Sequence, residues 1–182
     1  MCRLGCVLLV GLPFSAIWVT TASAAFPGQN GRIVFVKERD NSSPLYSVNP
    51  DGSRLRRITV GEYDSKPSVA PNGRIIAFAR EGHKGSAIFT VRVSGRHLKR
   101  LTPFDGSVEP ALSGPLGRRI AFTRFGSVTA KIWLMAADGT NERRLTDPPT
   151  ADRFPVFSPD GRWIAFLRPS HNHDERIYKI IN

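Results

Sequence analysis

Residues 157–166 read FSPDGRWIAF, and closely related stretches occur upstream as APNGRIIAF at 70–78 and SGPLGRRIAF at 113–122. A cluster of Ser, Pro, Asp, Gly and Arg beside an aromatic residue suits a polar site, and it suits a tight turn equally well. Proline presets φ, Asp can bond the backbone two residues on, and Gly accepts a positive φ. The second copy has Asn72 in place of the Asp, and the third has Leu116. Because a catalytic carboxylate would not vary so freely, we interpret the stretch as a hairpin turn.

The turn belongs to a repeat of forty-odd residues. The phenylalanine that ends each phrase recurs at intervals of 43, 44 and 44 residues, at Phe35, Phe78, Phe122 and Phe166. Next come an aliphatic–aromatic pair, a Gly turn in three copies, and the closing segments RRIT (56–59), KRLT (99–102) and RRLT (143–146). Short strands separated by such turns, at this period, are typical of the four-stranded antiparallel blades of a β-propeller. We name the strands of each blade a to d.

The sequence therefore predicts an all-β chain with blades at approximately 29–59, 65–102, 108–146 and 152–181. Blade one has too few preceding residues for strand a, and the sequence reaches Asn182 before a strand d of blade four. We expect 14 strands, or about 3.5 blades, in a partial or open propeller with exposed strand edges.

The phrases FPVFSPDGRWIAF, IWLMAADGTNERRLT and LYSVNPDGSRLRRIT resemble the repeats of TolB-type β-propellers, distant relatives of WD-repeat proteins. The resemblance covers essentially all of 29–181 and is weakest in blade three, at LSGPLGRR. It implies a protein-interaction scaffold of the bacterial envelope. Related blades also form the non-catalytic propeller in front of the peptidase domain of some serine peptidases.

The first 24 residues predict a secretory signal peptide. Arg3 precedes an apolar stretch from Leu4 to Val19, and Ala22-Ser23-Ala24 provides a small-residue cleavage site. Cleavage would leave 25–182, without either cysteine and without a membrane anchor. We therefore expect export to the bacterial periplasm or the cell surface.

The charge of the chain favours anionic partners. There are 26 Lys and Arg against 15 Asp and Glu, which gives a formal net charge of +11. Such a surface attracts acidic or phosphate-rich partners, or it serves solubility alone. Because export separates the protein from intracellular nucleic acid, we expect a protein or an anionic envelope component as the partner. Unfilled blade edges also allow a homodimer.

A candidate binding site lies two residues beyond each repeat phenylalanine, where every copy has a cation. Strand direction places the end of strand b and the start of strand a on one rim of the propeller, which we call the mouth rim. The a–b and c–d turns fall on the opposite rim, the turn rim. The mouth-rim residues are Lys37, Arg80, Arg124, Arg168, Lys66, Glu109 and Arg153. An arc of cations predicts binding of an anionic group or an acidic peptide, although duplication of one structural residue would give the same pattern.

No residue pattern predicts a catalytic site, a metal or a cofactor. The sequence has no Gly-x-Ser-x-Gly elbow and no phosphate-binding Gly-rich loop. The segment HNHD at 171–174 lacks the second cluster that a tetrahedral metal site needs.

The predicted function is a non-enzymatic exported scaffold that binds a protein or an anionic envelope ligand. Two alternatives stay open: a truncated fragment of a longer propeller without independent activity, and a propeller hydrolase or lyase acting on peptide or carbohydrate. Against the enzyme, Glu109 is the only acid among the mouth-rim residues, whereas glycoside hydrolysis uses paired carboxylates.

Overall fold

The computed structural model describes residues 31–38, 41–60, 63–112, 117–126, 129–147, 151–169 and 175–181. The predicted signal peptide, the HNHD segment and Leu116 lie outside these residues. The described part contains strands and turns but no helix, and accordingly no helix that could span a membrane. The predicted all-β fold is confirmed.

Within the described ranges, fourteen strands form four separate antiparallel sheets in chain order, each of them one blade. Blade one contains β1 (Ile33–Val36), β2 (Leu45–Val48) and β3 (Arg56–Arg57). Blade two contains β4 (Asp64–Val69), β5 (Ile75–Gly82), β6 (Gly85–Arg92) and β7 (Lys99–Arg100). Blade three contains β8 (Ser107–Leu112), β9 (Arg119–Phe125), β10 (Ala130–Ala136) and β11 (Arg143–Arg144). Blade four contains β12 (Arg153–Phe157), β13 (Trp163–Pro169) and β14 (Glu175–Ile181). Strand a is absent from blade one and strand d from blade four among the described residues, as the sequence predicts.

The core lies between the blades because strand alternation gives every blade two apolar faces. We call the face with the repeat isoleucine and phenylalanine the front face, and the other the back face. Phe122, on the front face of blade three, packs with Ala77, Ala79 and Ile88 on the back face of blade two, and all four are buried. Large side chains on one face thus fill the space left by small ones on the next.

The same arrangement joins the other neighbours. The front face of blade two, with Ile76 and Phe78, packs against Leu45 of blade one. The front face of blade four packs Ile164 against Ala121 of blade three. Blades two and three therefore each contribute one face to each of two successive interfaces.

The a–b turns have the structure that their sequences predict. Asp160 Oδ1 accepts a hydrogen bond from the backbone N–H of Arg162 at 3.0 Å, and Gly161 has a φ of 70°. In blade two, Asn72 Oδ1 accepts the equivalent bond from the N–H of Arg74, also at 3.0 Å. Asn therefore replaces Asp without loss of this contact, which confirms a structural role for the motif.

The short d strands form the outer edge and link neighbouring blades. Arg56 in β3 donates to the carbonyl of Ser94, in the c–d turn of blade two, at 2.8 Å. Lys99 in β7 donates to the carbonyl of Asp138, in the c–d turn of blade three, at 2.8 Å. The first residue of these basic pairs thus connects one blade to the turn of the next.

Replacing Phe78 with Ala should lower the free energy of unfolding by about 3–5 kcal/mol, because Phe78 is fully buried between blades one and two. Leu55→Ala is the matched control, since Leu55 is 55% exposed and should change stability by less than about 0.5 kcal/mol. Urea unfolding followed by circular dichroism measures both. Equal losses in the two variants would contradict the interblade core.

The triple variant Asp51→Asn, Asp138→Asn, Asp160→Asn should lose less thermal stability on acidification than the wild type. Hydrogen bonds from Ser53, Thr140 and Ser158, respectively, hold the pKa of each carboxyl below its ordinary value of 3.8. A lowered folded-state pKa stabilises the fold above the unfolded-state value, and this contribution disappears as pH falls through the lowered pKa. Melting temperatures measured from neutral pH downward test this. An unchanged pH profile would show that these turns do not contribute.

Candidate functional site

Arg80, Arg124 and Arg168 each lie over an aromatic pair formed by strands b and c of their own blade. The guanidinium of Arg80 is 5.4 Å from the ring centroid of Phe78 and 4.8 Å from that of Phe89. Arg124 and Arg168 occupy equivalent positions, with closest centroid distances of 4.7 Å to Trp133 and Tyr178, respectively. These distances are in the range of cation–π contacts. The residue two beyond the repeat phenylalanine therefore covers the aromatic pair.

Two of these arginines pair with buried aspartates. Arg80 donates from Nε to Asp64 Oδ1 at 2.6 Å and from Nη2 to Oδ2 at 3.0 Å. Arg168 makes the same two bonds with Asp152, at 2.7 and 2.9 Å. Both aspartate side chains are completely buried. The hydrogen bond to Asp152 raises the pKa of Arg168 above its ordinary value.

A threonine connects the first of these pairs to the preceding blade. Thr59, at the end of RRIT in blade one, accepts a hydrogen bond at Oγ1 from the N–H of Leu45 at 2.9 Å. Its hydroxyl donates to Asp64 Oδ2 in blade two. Thr102 and Thr146 accept the equivalent backbone bonds from Ile88 and Ile132. Thr59 of blade one and Asp64 and Arg80 of blade two therefore form one hydrogen-bonded network between the two blades.

A β-bulge accompanies the aspartate in both blades that have one. Lys66 and Phe154 precede the prolines of strands β4 and β12 and have φ values of 51° and 55°. The strand register shifts at these two places. Positive φ is uncommon for such large side chains, and bulges characteristically redirect the side chains around them.

Blade three departs from this pattern. Its β8 pairs continuously with β9 and places Val108 opposite Arg124, where Asp64 lies opposite Arg80 in blade two. Arg124 instead pairs with Glu142, in the connection between β10 and β11. Its Nε is buried and has no hydrogen-bond partner in the part of the chain that the structure describes. A carboxylate on strand a is therefore not required for the arginine to lie over its rings.

The remaining predicted residues differ in how their charges are compensated. Lys66 forms an ion pair with Glu109 of the next blade. Arg153 lies 5.6 Å from the ring centroid of Phe125 in blade three, and the Nζ of Lys37 lies 5.6 Å from that of Tyr46. Lys37 and Arg153 are exposed, and neither forms an ion pair within the described residues.

The arc, by which we mean the six cations predicted at the mouth rim, therefore contains cations that pair with an acid and cations that do not. Arg80, Arg124, Arg168 and Lys66 each have a carboxylate partner. The charge available to an anionic partner is concentrated at Lys37 and Arg153, the two ends of the predicted set along the blades. Binding of an anionic group by the arc stays a prediction.

The sequence interpretation did not include Asp64 and Asp152. Each aspartate lies three residues before the proline of strand a, at Pro67 and Pro155, and this spacing is the sequence signal by which they could have been found.

A cavity of about 310 Å³ opens on the mouth rim of blade two, lined by Tyr63, Glu81, Gly82 and His83. Within the described residues, no three His, Cys, Asp or Glu side chains come together as metal ligands.

Comparison with known proteins agrees with the propeller repeats. No protein-family model matches the chain. A 72-residue segment is 43% identical to the Tol-Pal system protein TolB 1 of Novosphingobium aromaticivorans, and it covers 38% of this chain and 16% of that protein. The prediction of TolB-like repeats is thereby supported in sequence.

Solved structures show the same fold. TolB from Acinetobacter baumannii matches with a TM-score of 0.71 and 20% identity, over 82% of this chain and 38% of that one. A putative TolB from Agrobacterium tumefaciens matches with a TM-score of 0.72 and 22% identity, over 81% and 56%, respectively. The chain therefore spans between about a sixth and just over half of the length of these relatives, and its TolB-like propeller fold is confirmed.

Arg168→Ala should lower the free energy of unfolding by about 3 kcal/mol, because it leaves Asp152 buried without its partner. The double variant Arg168→Ala, Asp152→Ala should be less destabilised than the sum of the two single variants. Arg153→Ala, which removes a neighbouring exposed cation, is the control and should change stability by less than about 1 kcal/mol. Strictly additive effects in urea unfolding would refute the Asp152–Arg168 interaction.

Proposed function

We propose that this chain of TolB-like propeller repeats is an exported, non-enzymatic scaffold that binds an acidic segment of a protein at the mouth rim. The observation that carries the proposal is the pair of exposed cations, Lys37 and Arg153, which have no acid partner among the described residues. The arginines of the arc pair with acids of their own blades.

The relation to the protein named TolB supports a protein partner. That relative carries the name of the Tol-Pal system, and a system of proteins requires surfaces at which they meet. A rim formed by loops on a rigid framework is a common place for such binding. The signal-peptide pattern at 1–24 supports export.

The charge of the rim favours acidic segments over neutral ones. The arc contains six cations, and four carboxylates compensate four of them. Lys37 and Arg153 are the two uncompensated cations of this set, and the whole chain has a formal net charge of +11. A positive field mainly raises the association rate and selects the sign of the partner's charge.

The double variant Lys37→Ala, Arg153→Ala should bind a labelled peptide of alternating Asp and Glu about tenfold more weakly than the wild type, a loss of about 1.4 kcal/mol. The variant should also show a smaller decrease in affinity with added salt, because fewer exposed cations contribute to binding. Fluorescence anisotropy at several salt concentrations measures both effects.

The matched control is Arg54→Ala, Arg74→Ala, which removes two exposed cations from the turn rim. Its affinity should stay within about twofold of the wild type, since these positions are remote from the mouth rim. Equal losses in the two double variants would show that only net charge matters. Wild-type affinity in Lys37→Ala, Arg153→Ala would refute the mouth-rim site.

A further inference from the structure

Two leucines lie exposed immediately before the d strands of blades one and two. Leu55 precedes β3 and is 55% exposed, and Leu98 precedes β7 and is 45% exposed. The two positions are equivalent in the repeat, and both lie on the outer edge of the blades near the turn rim, where the c–d turn ends. Neither belongs to a hydrophobic cluster formed by the described residues. The blade core therefore does not account for them.

Six arginines accompany the two leucines along this edge. All six are exposed, and none of them forms an ion pair within the described ranges: Arg54, Arg56, Arg57, Arg92, Arg96 and Arg100. The two segments that carry them, 52–60 and 82–104, contain no Asp or Glu. We call Leu55, Leu98 and these six arginines the basic edge.

The basic edge is one continuous surface because blades one and two meet along it. Arg56 donates a hydrogen bond to the carbonyl of Ser94 at 2.8 Å. A Cβ on the next residue, Gly95, would lie 2.9 Å from the carbonyl oxygen of Ile58, so the glycine lets the c–d turn of blade two lie directly on the end of strand β3. Leu98 follows this contact by three residues, which keeps it close to blade one.

An open groove of about 340 Å³ lies within the basic edge in blade two. Its lining includes two aliphatic and three basic side chains: Ile75, Leu98, Arg92, His97 and Lys99. In blade one the residue equivalent to Ile75 is Arg32, whose guanidinium donates to the carbonyls of Ser47 and Arg54 and so occupies the equivalent place. The change from Arg32 to Ile75 gives the groove of blade two an apolar floor between basic side chains.

Blade three does not have this surface. Glu142 occupies the position equivalent to Leu55 and Leu98, and it pairs with Arg124. Arg144 of strand β11 pairs with Asp147. Charge alone would protect a short edge strand from pairing with another chain, whereas an exposed leucine works against that protection. The combination of exposed leucine and unpaired arginine is therefore not imposed by the repeat.

We propose that the basic edge binds the surface of an anionic lipid bilayer. The arginines meet the phosphate groups of the lipids, and Leu55 and Leu98 enter the boundary between headgroups and acyl chains. A guanidinium binds phosphate through two parallel hydrogen bonds. Each basic residue close to an anionic membrane raises the affinity by about fivefold. Surfaces that lie on a membrane in this way combine basic residues with exposed apolar ones.

The leucines distinguish a bilayer from a soluble polyanion as the partner. A polyanion such as polyphosphate neutralises the arginines but leaves Leu55 and Leu98 in water. The acyl boundary of a bilayer removes their apolar surface from water, which is favourable. The apolar floor of the groove beside Leu98 adds to this surface. The residues of the basic edge therefore favour the bilayer, and a soluble polyanion is the alternative that the experiments below exclude or support.

The basic edge lies towards the turn rim, whereas the acidic protein segment proposed above binds at the opposite rim. The two proposals rest on different residues, so each can fail without the other.

The first experiment measures co-sedimentation of the protein with lipid vesicles. It uses residues 25–182, which include every residue that the structure describes, because the apolar stretch of the predicted signal peptide would itself bind lipid. Vesicles of phosphatidylglycerol and phosphatidylcholine in equal parts should bind the protein at least about tenfold more tightly than vesicles of phosphatidylcholine alone. Equal binding to the two kinds of vesicle would overturn the proposal, and so would no binding to the anionic ones.

The second experiment removes the two leucines. Leu55→Gln, Leu98→Gln should bind the anionic vesicles about tenfold more weakly, because glutamine gains little by entering the acyl boundary. Both positions are exposed, so the variant should fold as the wild type does. Val60→Gln is the matched control, since Val60 is 81% exposed and lies beyond strand β3 towards the mouth rim. Wild-type affinity of the leucine variant for vesicles would overturn the proposal.

Polyphosphate in place of vesicles tests the alternative partner. The leucine variant should bind polyphosphate as the wild type does, because its arginines are intact. An equal loss of affinity for vesicles and polyphosphate would show a general defect of the variant and would refute insertion of the leucines.

The third experiment removes two arginines of the basic edge. Arg92→Ala, Arg96→Ala should weaken binding to the anionic vesicles by about tenfold or more. The matched control is Lys84→Ala, Arg176→Ala, which removes two exposed cations at the mouth-rim ends of blades two and four. Its vesicle affinity should stay within about twofold of the wild type. Equal losses in the two double variants would show that net charge alone attracts the protein to lipid, and would overturn the assignment to the basic edge.

Discussion

The packing of each Ile-x-Phe front face against the small side chains of the preceding blade is the contact on which the rest of the structure depends. A single sheet of three or four strands cannot bury both of its faces, and it is stable only when neighbours cover them. Phe122 on Ala77 and Ala79 shows how the repeat solves this, with a large residue and two small ones at fixed spacing. Stability therefore depends on contacts between successive blades, and among the described residues the front face of blade one and the back face of blade four have no such contact.

The polar contacts follow from this packing. An arginine two residues beyond the phenylalanine projects from the same face and reaches the aromatic pair of its own blade. At Arg80 and Arg168 the arginine also meets an aspartate from strand a, which satisfies the carboxylate in a buried position. Blade three keeps the arginine and the rings but has Val108 where the others have Asp, and Arg124 takes Glu142 instead. The ring contact is common to all three arginines, and the partner acid varies.

This arrangement gives the recurrent cations two roles. A guanidinium that pairs with a buried carboxylate contributes to the blade and adds little to the external field, whereas Lys37 and Arg153 retain their charge on the surface. Blade one has no strand a among the described residues to provide an aspartate for Lys37. Duplication thus preserved the position of the cation, while its neighbours determine whether the charge is available to a partner.

The sequence by itself determined the strand count, the turns and the direction of the bulky residues, because these depend on local rules. A Gly with positive φ after Asp160 or Asn72 is a property of four consecutive residues, and alternation places Ile76 with Phe78 on one face. Only the tertiary structure decided which cations are compensated. Asp64 and Arg80 are 16 residues apart, and they meet because strands a and b pair in one particular register after a bulge at Lys66. That register, the burial of Thr59 beside them and the exposure of Ile33 and Ile177 depend on which blade lies next to which, and no short stretch of sequence contains that information.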